Sequence, residues 1–341
     1  MGDSDAEALD GAHSIHFATS GELLLADAGA KEIRVFDRAG HQLTSWGGPG
    51  EGPGEFVELT RARLAADTVV AYDRELSRVT WFTLDGRTIR DQRISPPRLW
   101  FPEFLGTFRG GIVFSAHGIL TRAAPPPRRF GAYRDTLHVI RIAGTGEDYQ
   151  VIATTPGQEH FGVEITAPNG ARMHGLSLHD FQRRAFAAAD GTQLVFGATD
   201  RPELMIEDDR GRVALTWRDR SEQFSDENLH VLPEHTRAAS QGESTARALA
   251  ILEQVPKPDT LPAFDRLLLL AADGSVWVRA WAWPNVNERV WLVLDLDANE
   301  MVRVRIPADY QVEAVAADRI AVLHRDSLGV ETVAVYRLMP Q

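Results

Sequence analysis

The sequence predicts an all-β fold, a six-bladed β-propeller built as one domain over residues 1–341. Three observations support this prediction. A unit that begins at a turn residue and continues as a β-rich apolar run recurs six times. A second β-rich run follows each of these, usually closed by a turn, and shorter β-rich runs flank both. Four short strands joined by tight turns are typical of a propeller blade.

The first apolar run of each unit is predicted to be a buried strand. These runs begin at Gly21, Asp67, Gly110, Gly191, Gly274 and Asp318. Strands within a blade are covered on both faces by neighbouring blades, so continuous apolar runs are expected in place of strict alternation. From these runs and their flanks we predict blades at 12–47, 60–94, 101–155, 181–218, 264–307 and 310–339.

The additional length of the chain collects in four predicted loops, at 116–134, 156–180, 219–262 and 281–288. In a propeller these links open on one face, so we expect a loop-rich face skewed towards blades three to five. The third link carries a short predicted helical insertion, 221–262, between blades four and five. Ser240 and Glu243 form a capping box there, apolar residues follow at helical spacing, and Pro256 ends the run.

The sixth unit has no run that could form an outer strand. We therefore expect a three-stranded sixth blade, or one closed only by a short N-terminal segment. The glycine-rich link GGPGEGPGEF at 47–56 lacks the Lys and Ser/Thr of a phosphate-binding loop, which favours a turn between blades one and two.

The stretch GELLLADAGAKEIRVFDRAGHQLTSWGGPGEGPGEF, residues 21–56, resembles an NHL repeat. Its Gly, Ala-Asp, Ile-Arg-Val-Phe-Asp and Gly-Pro-Gly-Glu-Phe positions carry the resemblance, which is strong in unit one, moderate in units two, four and six, and weak in units three and five. The resemblance implies a six-bladed toroid and kinship with bacterial, mostly extracytoplasmic propellers. It does not imply an enzyme.

Composition narrows the classes of partner. The formal net charge of −12 disfavours broad nucleic-acid binding, which depends on Lys and Arg neutralising phosphates. No apolar run approaches the roughly 20 residues of a membrane-spanning helix. The absence of cysteine excludes disulfides, thiolate metal sites and a cysteine nucleophile. Residues 1–12 lack the pattern of a secretion signal, so the extracytoplasmic location rests on the NHL resemblance alone.

Acidic residues recur at equivalent strand ends and are candidate metal ligands. Asp27, Asp73 and Asp326 occupy this position, and Asp200 lies close to it. Carboxylates that converge on the propeller axis could bind Ca²⁺, which prefers oxygen ligands. The alternative, favoured because the position recurs with the repeat, is that each Asp caps its own turn. Asn285 is a further candidate ligand for an axial cation.

Histidines concentrate on the predicted loop-rich side, at His117, His160, His174, His179 and His324. Three imidazoles with an open fourth position could hold Zn²⁺. His174 and His179 are separated by five positions, which places them on opposite sides of an extended strand. They could share a metal only if that segment bends. Calcium and zinc are therefore the candidate cofactors, and the sequence requires neither.

Arginines and tryptophans supply the other candidate ligand contacts. Arg128, Arg129 and Arg134 follow three consecutive prolines and could bind a carboxylate or phosphate, although a solvated loop is the alternative. Trp281 and Trp283 could stack on a flat ligand, or pack between blades. We expect Trp283, which precedes Pro284, to be exposed. His324 and Arg325 extend the ligand-binding candidates to the end of the sixth unit's first run.

The leading functional hypothesis is a non-catalytic propeller that binds a small molecule, peptide or protein on the loop-rich face around its axis. The alternative is a metal-dependent hydrolase or lyase with an axial cation, resembling propeller lactonases and phosphotriesterases. That alternative would use Asp27, Asp73, His117, Asp200 and Asn285 as metal ligands, with His174 or His179 as general base. No G-x-S-x-G motif supports a serine hydrolase, and whether the protein is an enzyme stays open.

Overall fold

The structure is a computed structural model, and it is nearly all β, with six antiparallel sheets among its described residues. The residues it describes are 9–94, 102–118, 131–144, 148–166, 172–177, 181–218, 249, 252–269, 274–295 and 300–339. No helix within these ranges is long and apolar enough to cross a membrane.

Neighbours along the chain are neighbours in each sheet, because tight turns join consecutive antiparallel strands. The first sheet holds β1 Ala12–Phe17, β2 Leu23–Asp27, β3 Glu32–Phe36 and β4 Gln42–Gly47. The second holds β5 Leu59–Ala65, β6 Thr68–Asp73, β7 Arg78–Thr83 and β8 Thr88–Arg93. The third holds β9 Glu103–Phe108, β10 Gly111–Ala116, β11 Gly131–Ala143, β12 Asp148–Thr166 and β13 Arg172–Ser177.

The second half of the chain repeats the pattern. The fourth sheet holds β14 Ala185–Ala189, β15 Leu194–Ala198, β16 Glu203–Asp208 and β17 Gly211–Thr216. The fifth holds β18 Phe264–Leu269, β19 Val276–Ala280, β20 Glu288–Asp295 and β21 Glu300–Pro307. The sixth holds β22 Gln311–Ala316, β23 Arg319–Arg325 and β24 Glu331–Arg337. The six apolar runs predicted as buried strands are β2, β6, β10, β15, β19 and β23.

Each sheet buries both faces, as the continuous apolar runs predict. All five residues of β2 are buried. Leu24 and Ala26 pack against the second sheet, whereas Leu23 and Leu25 pack against the sixth. Similar apolar clusters fill the spaces between the other successive sheets. The fourth strands β4, β8 and β17, by contrast, are largely exposed.

The six sheets close into a ring. The first strands contact one another in the order β1, β5, β9, β14, β18, β22, and β22 contacts β1. The arrangement is therefore propeller-like. Within the described residues the sixth sheet has three strands, and an isolated bridge joins Leu9 to Glu331 of β24, in agreement with the expected short N-terminal closure.

The third sheet departs from the predicted loop positions. Residues 156–166, expected in a loop, continue β12: residues 156–162 pair with β11, and residues 161–166 pair with 172–177, which form β13. The reason is local: Pro156 and Gly157 accompany an irregularity of the ladder, between Arg134 and Thr136, after which pairing resumes. The result is a long hairpin that extends past the strands of the neighbouring sheets.

Most of the predicted helical insertion lies outside the described residues, including Ser240 and Glu243. Helical backbone is present at Leu249 and over 252–254, and Val255 behind it is buried. Val255 and Leu261 pack in one apolar cluster with Phe161 of β12 and with Phe181, which precedes β14.

The link at 47–56 is a turn between the first two sheets, as expected. Gly47 has a φ of 111°, a left-handed conformation that favours glycine. Phe56 at the end of the link is fully buried between the two sheets, where its ring lies 6.0 Å from that of Phe82. The link therefore holds adjacent sheets together through an aromatic anchor.

Phe56→Ala is expected to lower the free energy of unfolding by about 3 to 5 kcal/mol, because it leaves a cavity between two sheets. Chemical denaturation measures the change. The control is Leu43→Ala on β4, where the residue is 57% exposed and a change within about 0.5 kcal/mol is expected. Equal losses in the two variants would contradict the anchoring role of Phe56.

Candidate functional site

The candidate site lies where the β11–β12 hairpin extends beyond its sheet. A pocket of about 400 Å³ opens there. Tyr133 and Arg134 of β11, His160 of β12, Arg183 and the segment 256–259 line it. We call this the rim pocket. The hairpin supplies the polar groups, and the apolar cluster of Phe161, Phe181, Val255, Leu261 and Trp283 forms the layer adjoining it.

Asp135 of β11 joins two of the predicted histidines. Its Oδ1 lies 3.2 Å from Nδ1 of His117, and its Oδ2 lies 2.7 Å from Nε2 of His160. The backbone N–H of Gln158 also donates to Oδ1, at 2.6 Å. Gly157 leaves space for this carboxylate, because an added Cβ would lie 1.9 Å from Oδ1. The backbone at Gly157 and Gln158 thus positions the Asp135 carboxylate between the two histidines.

The electrostatics of the Asp135 cluster favour the carboxylate. Burial alone would raise the pKa of Asp135, but the hydrogen bonds from His117 and His160 and the charge of His117 lower it to about 2. Because a carboxylate only accepts, Nδ1 of His117 and Nε2 of His160 carry the protons. In neutral His117 this leaves Nε2 with a lone pair.

A second ion-pair network fixes the neighbouring wall. Arg134 makes a bidentate pair with Asp200, at 2.6 and 2.7 Å. Arg183 lies 3.5 Å from Asp200 and 3.6 Å from Glu159. Burial would raise the pKa of Asp200, but the hydrogen bond and charge of Arg134 lower it. Asp200, predicted as a metal ligand, is therefore held by two guanidinium groups.

Aromatic rings complete the pocket. The rings of Tyr133 and His160 stack with centroids 5.0 Å apart and planes 19° apart. Trp281 meets Trp283 edge-on at 5.1 Å. Trp283 is only 6% exposed, so the expectation that it is exposed is wrong. It packs in the apolar layer with Phe181 and Leu261, because the segment after Val255 covers it.

Asp27 and Asp73 lie at equivalent strand ends, and their oxygens face backbone amides. Asp73 accepts from the amides of Val57, Glu58 and Leu76 at 2.7 to 3.0 Å. Asp27 accepts from Ala30 and pairs with Arg34. These contacts favour turn capping. Among the described residues, no three His, Cys, Asp or Glu side chains come together in a group that could hold a metal ion.

The remaining candidates are dispersed. His324 contacts the hydroxyl of Tyr336, and Arg325 pairs with Glu331. Asn285 is exposed in the loop between β19 and β20. His174 lies on β13, where its backbone pairs with that of Glu164. Arg128, Arg129 and His179 lie outside the described residues.

The structure brings the predicted residues His117, His160 and Asp200 close to the rim pocket, but the sequence did not indicate their partners. Asp135, Tyr133 and Arg183 carry no motif. A usable signal was the alternation of Tyr133 and Asp135 on one side of an extended strand, which becomes visible only once that segment is known to be β.

The difference in the free energy of unfolding between the wild type and Asp135→Asn is expected to be about 2 kcal/mol above pH 4. The depressed pKa of Asp135 contributes stability that is present above the unfolded-state pKa and is lost as the pH falls from about 4 towards about 2. Denaturation at several pH values measures it. A difference that does not change over this range would contradict the His–Asp–His network.

Comparison with known proteins identifies a fold but no family. No protein-family model matches the chain, and no curated protein sequence matches it significantly. A member of the DUF4221 family from Bacteroides vulgatus is similar with a TM-score of 0.53 and 12% identity, over 98% of this chain and 95% of that chain. A candidate exported protein from Bacteroides fragilis is similar with a TM-score of 0.51 and 13% identity, over 99% of this chain and 94% of that chain. At these identities the likeness concerns the fold alone.

Proposed function

We propose that this chain is a ligand-binding six-bladed propeller of the NHL type, and that its ligand binds in the rim pocket. The observation that carries the proposal is the preorganised pocket wall formed by Tyr133, His160 and Arg134. Its polar groups are held by Asp135 and Asp200, and its aromatic groups are held by stacking. Sites of this kind combine apolar surface with a few oriented polar groups.

The chemistry of the wall favours a small molecule or short peptide with a flat apolar part and a charged part. Tyr133 offers a ring face for stacking. Arg183 and Lys257 provide positive charge, and Glu159 and Asp259 provide negative charge around the opening. Mixed charge at the rim with aromatic surface inside is suited to selective binding of a partly polar ligand.

Binding is favoured over catalysis by the pairing of the polar groups. The described residues that line the pocket include no Ser, Thr or Cys, so no aliphatic hydroxyl or thiol nucleophile adjoins His160 there. Arg134 and Arg183 pair with Asp200 and Glu159, so these side chains are held in fixed positions that can orient a ligand.

One observation favours the catalytic alternative. The Asp135 carboxylate accepts a hydrogen bond from Nδ1 of His117, which orients the ring and leaves Nε2 available as a base. Enzymes use this arrangement for proton transfer. In this alternative the protein is a hydrolase or lyase, in which Asp27, Asp73 and Asp200 would leave their present partners and join Asn285 as the predicted metal ligands. An extracytoplasmic location is also proposed, on the NHL resemblance.

A fragment library containing aromatic carboxylates and aromatic dipeptides, screened by ligand-observed NMR, tests the binding site. Tyr133→Ala is expected to weaken the binding of its hits about tenfold, because it removes the stacking surface. The matched control is Tyr149→Ala on the same β12 hairpin, where the side chain is 46% exposed and away from the pocket. Hits that bind both variants equally would contradict the assignment of the rim pocket.

A second experiment separates binding from metal-dependent catalysis. Hydrolysis of γ-butyrolactone and of a phosphotriester is measured with added Ca²⁺ or Zn²⁺ and with a chelator, and the melting temperature is recorded in each condition. The binding proposal predicts no metal-dependent turnover and no chelator-dependent shift, since an ion bound only to the folded state would stabilise it. Chelator-sensitive turnover that is lost in His117→Gln would establish the catalytic alternative.

A further inference from the structure

The centre of the ring contains a second cavity, separate from the rim pocket. It measures about 290 Å³, and residues of the first strands of all six sheets line it. We call it the axial cavity. None of its lining residues belongs to the rim pocket. Its size corresponds to the lower end of small-ligand sites, which span roughly 300 to 1,000 Å³.

The first strands turn charged side chains into this cavity. On β5, Ala62 and Leu64 pack in the core between sheets one and two, so the alternate residues Arg61 and Arg63 face the axis. Ladder irregularities precede Arg61 on β5 and Arg266 on β18. Bulges of this kind re-aim side chains next to functional sites.

Two of the three arginines in the cavity have acidic partners. Arg266 lies 3.0 Å from Glu313 of β22, and Arg61 lies 4.0 Å from Glu103 of β9. The third acidic residue, Asp190, is held in its own turn by Thr192 and Gln193. Glu103 and Glu313 are thus paired with arginines, whereas the Asp190 carboxylate is held by neutral hydrogen-bond donors.

Arg63 is the one arginine of the described cavity wall that has no acidic partner. Its one hydrogen bond among the described residues goes to the carbonyl of Ala62, at 3.4 Å, and no carboxylate of that part of the chain lies within ion-pair distance. Burial lowers the pKa of Arg63, with Glu103 and Glu313 opposing this from a distance. The stem of Arg63 lies against Gly106, where an added Cβ would come within 3.4 Å of its Cβ and Cγ.

The neighbouring imidazole adds no further positive charge. His16 on β1 is half-buried, and desolvation together with the charge of Arg63 lowers its pKa to about 3. It is therefore neutral at physiological pH, and Nε2 lies 3.2 Å from the Ala62 carbonyl. Arg63 thus presents a permanently charged guanidinium to a confined space, which is unfavourable unless a counter-charge enters.

We propose that the axial cavity binds a small oxyanion, a carboxylate or a phosphate, on the Arg63 guanidinium. The planar guanidinium can donate two parallel N–H bonds to either group. Arg61 and Arg266 also line the cavity, but each has a carboxylate partner, Glu103 and Glu313 respectively, so Arg63 supplies the charge that binds the anion. The site is independent of the rim pocket and adds an anion-binding function at the axis.

The test measures melting temperature and calorimetric binding with succinate, acetate and inorganic phosphate, against chloride at equal ionic strength. Wild-type protein is expected to be stabilised by at least one of the oxyanions. Arg63→Gln is expected to weaken that binding tenfold or more, and Arg305→Gln on the exposed strand β21 serves as the matched control. The carboxylates and phosphate compared with one another identify the preferred class.

Two further measurements, one on Arg63→Gln in chloride and one on Glu313→Gln, test whether the charge of Arg63 itself is responsible. In chloride, Arg63→Gln is expected to melt at or above the wild-type temperature, because it removes an unpaired charge from the cavity. Glu313→Gln is expected to tighten oxyanion binding severalfold, because it releases Arg266 from its partner. No stabilisation of the wild type by any of the three anions, or equal stabilisation of the wild type, Arg63→Gln and Glu313→Gln, would overturn the proposal.

Discussion

The structure depends on one constraint: every sheet must cover both of its apolar faces with another sheet. Strand β2 illustrates this constraint, because its successive side chains Leu24 and Leu25 pack into different cores on opposite faces of the sheet. A sheet with two apolar faces needs two neighbours, and a closed ring satisfies this requirement for all six without leaving an open end. The apolar clusters between successive sheets, together with the cluster between the sixth sheet and the first, are the consequence.

Because the cores occupy the spaces between sheets, polar chemistry is confined to the strand ends and the axis. The rim pocket arises where β11 and β12 continue past the core. There, the pairing of β11 with β12 continues beyond the last residue that pairs with β10, and Tyr133, Asp135 and His160 combine into a polar wall. The axial cavity arises for a different reason, since the first strands cannot all meet at one line. Both sites are therefore direct products of the ring geometry.

The sequence was sufficient to predict the strands that are buried on both faces, because continuous apolar runs bounded by turn residues indicate them. It was insufficient for the long hairpin: Pro156 and Gly157 are typical of a loop, and only the pairing with β11 keeps that segment extended. Trp283 was misjudged because the segment that covers it lies more than 20 residues earlier in the chain. The repeat favoured turn capping by the strand-end aspartates, and Asp27 and Asp73 make such contacts with Ala30 and Leu76. The further contacts of Asp73 with Val57 and Glu58 come from a link that precedes the strand, which the local pattern does not indicate.

The closure of the ring has a consequence for folding kinetics. The backbone N–H of Ala12 donates to the Glu331 carboxylate across 319 positions of the chain, and the core between β1 and β22 joins residues equally remote. Contacts of such long sequence separation form late, since the entropy of a nearly chain-length loop must be lost first. The strands within each sheet pair with their neighbours along the chain, so we expect the sheets to form before the seam between the sixth sheet and the first.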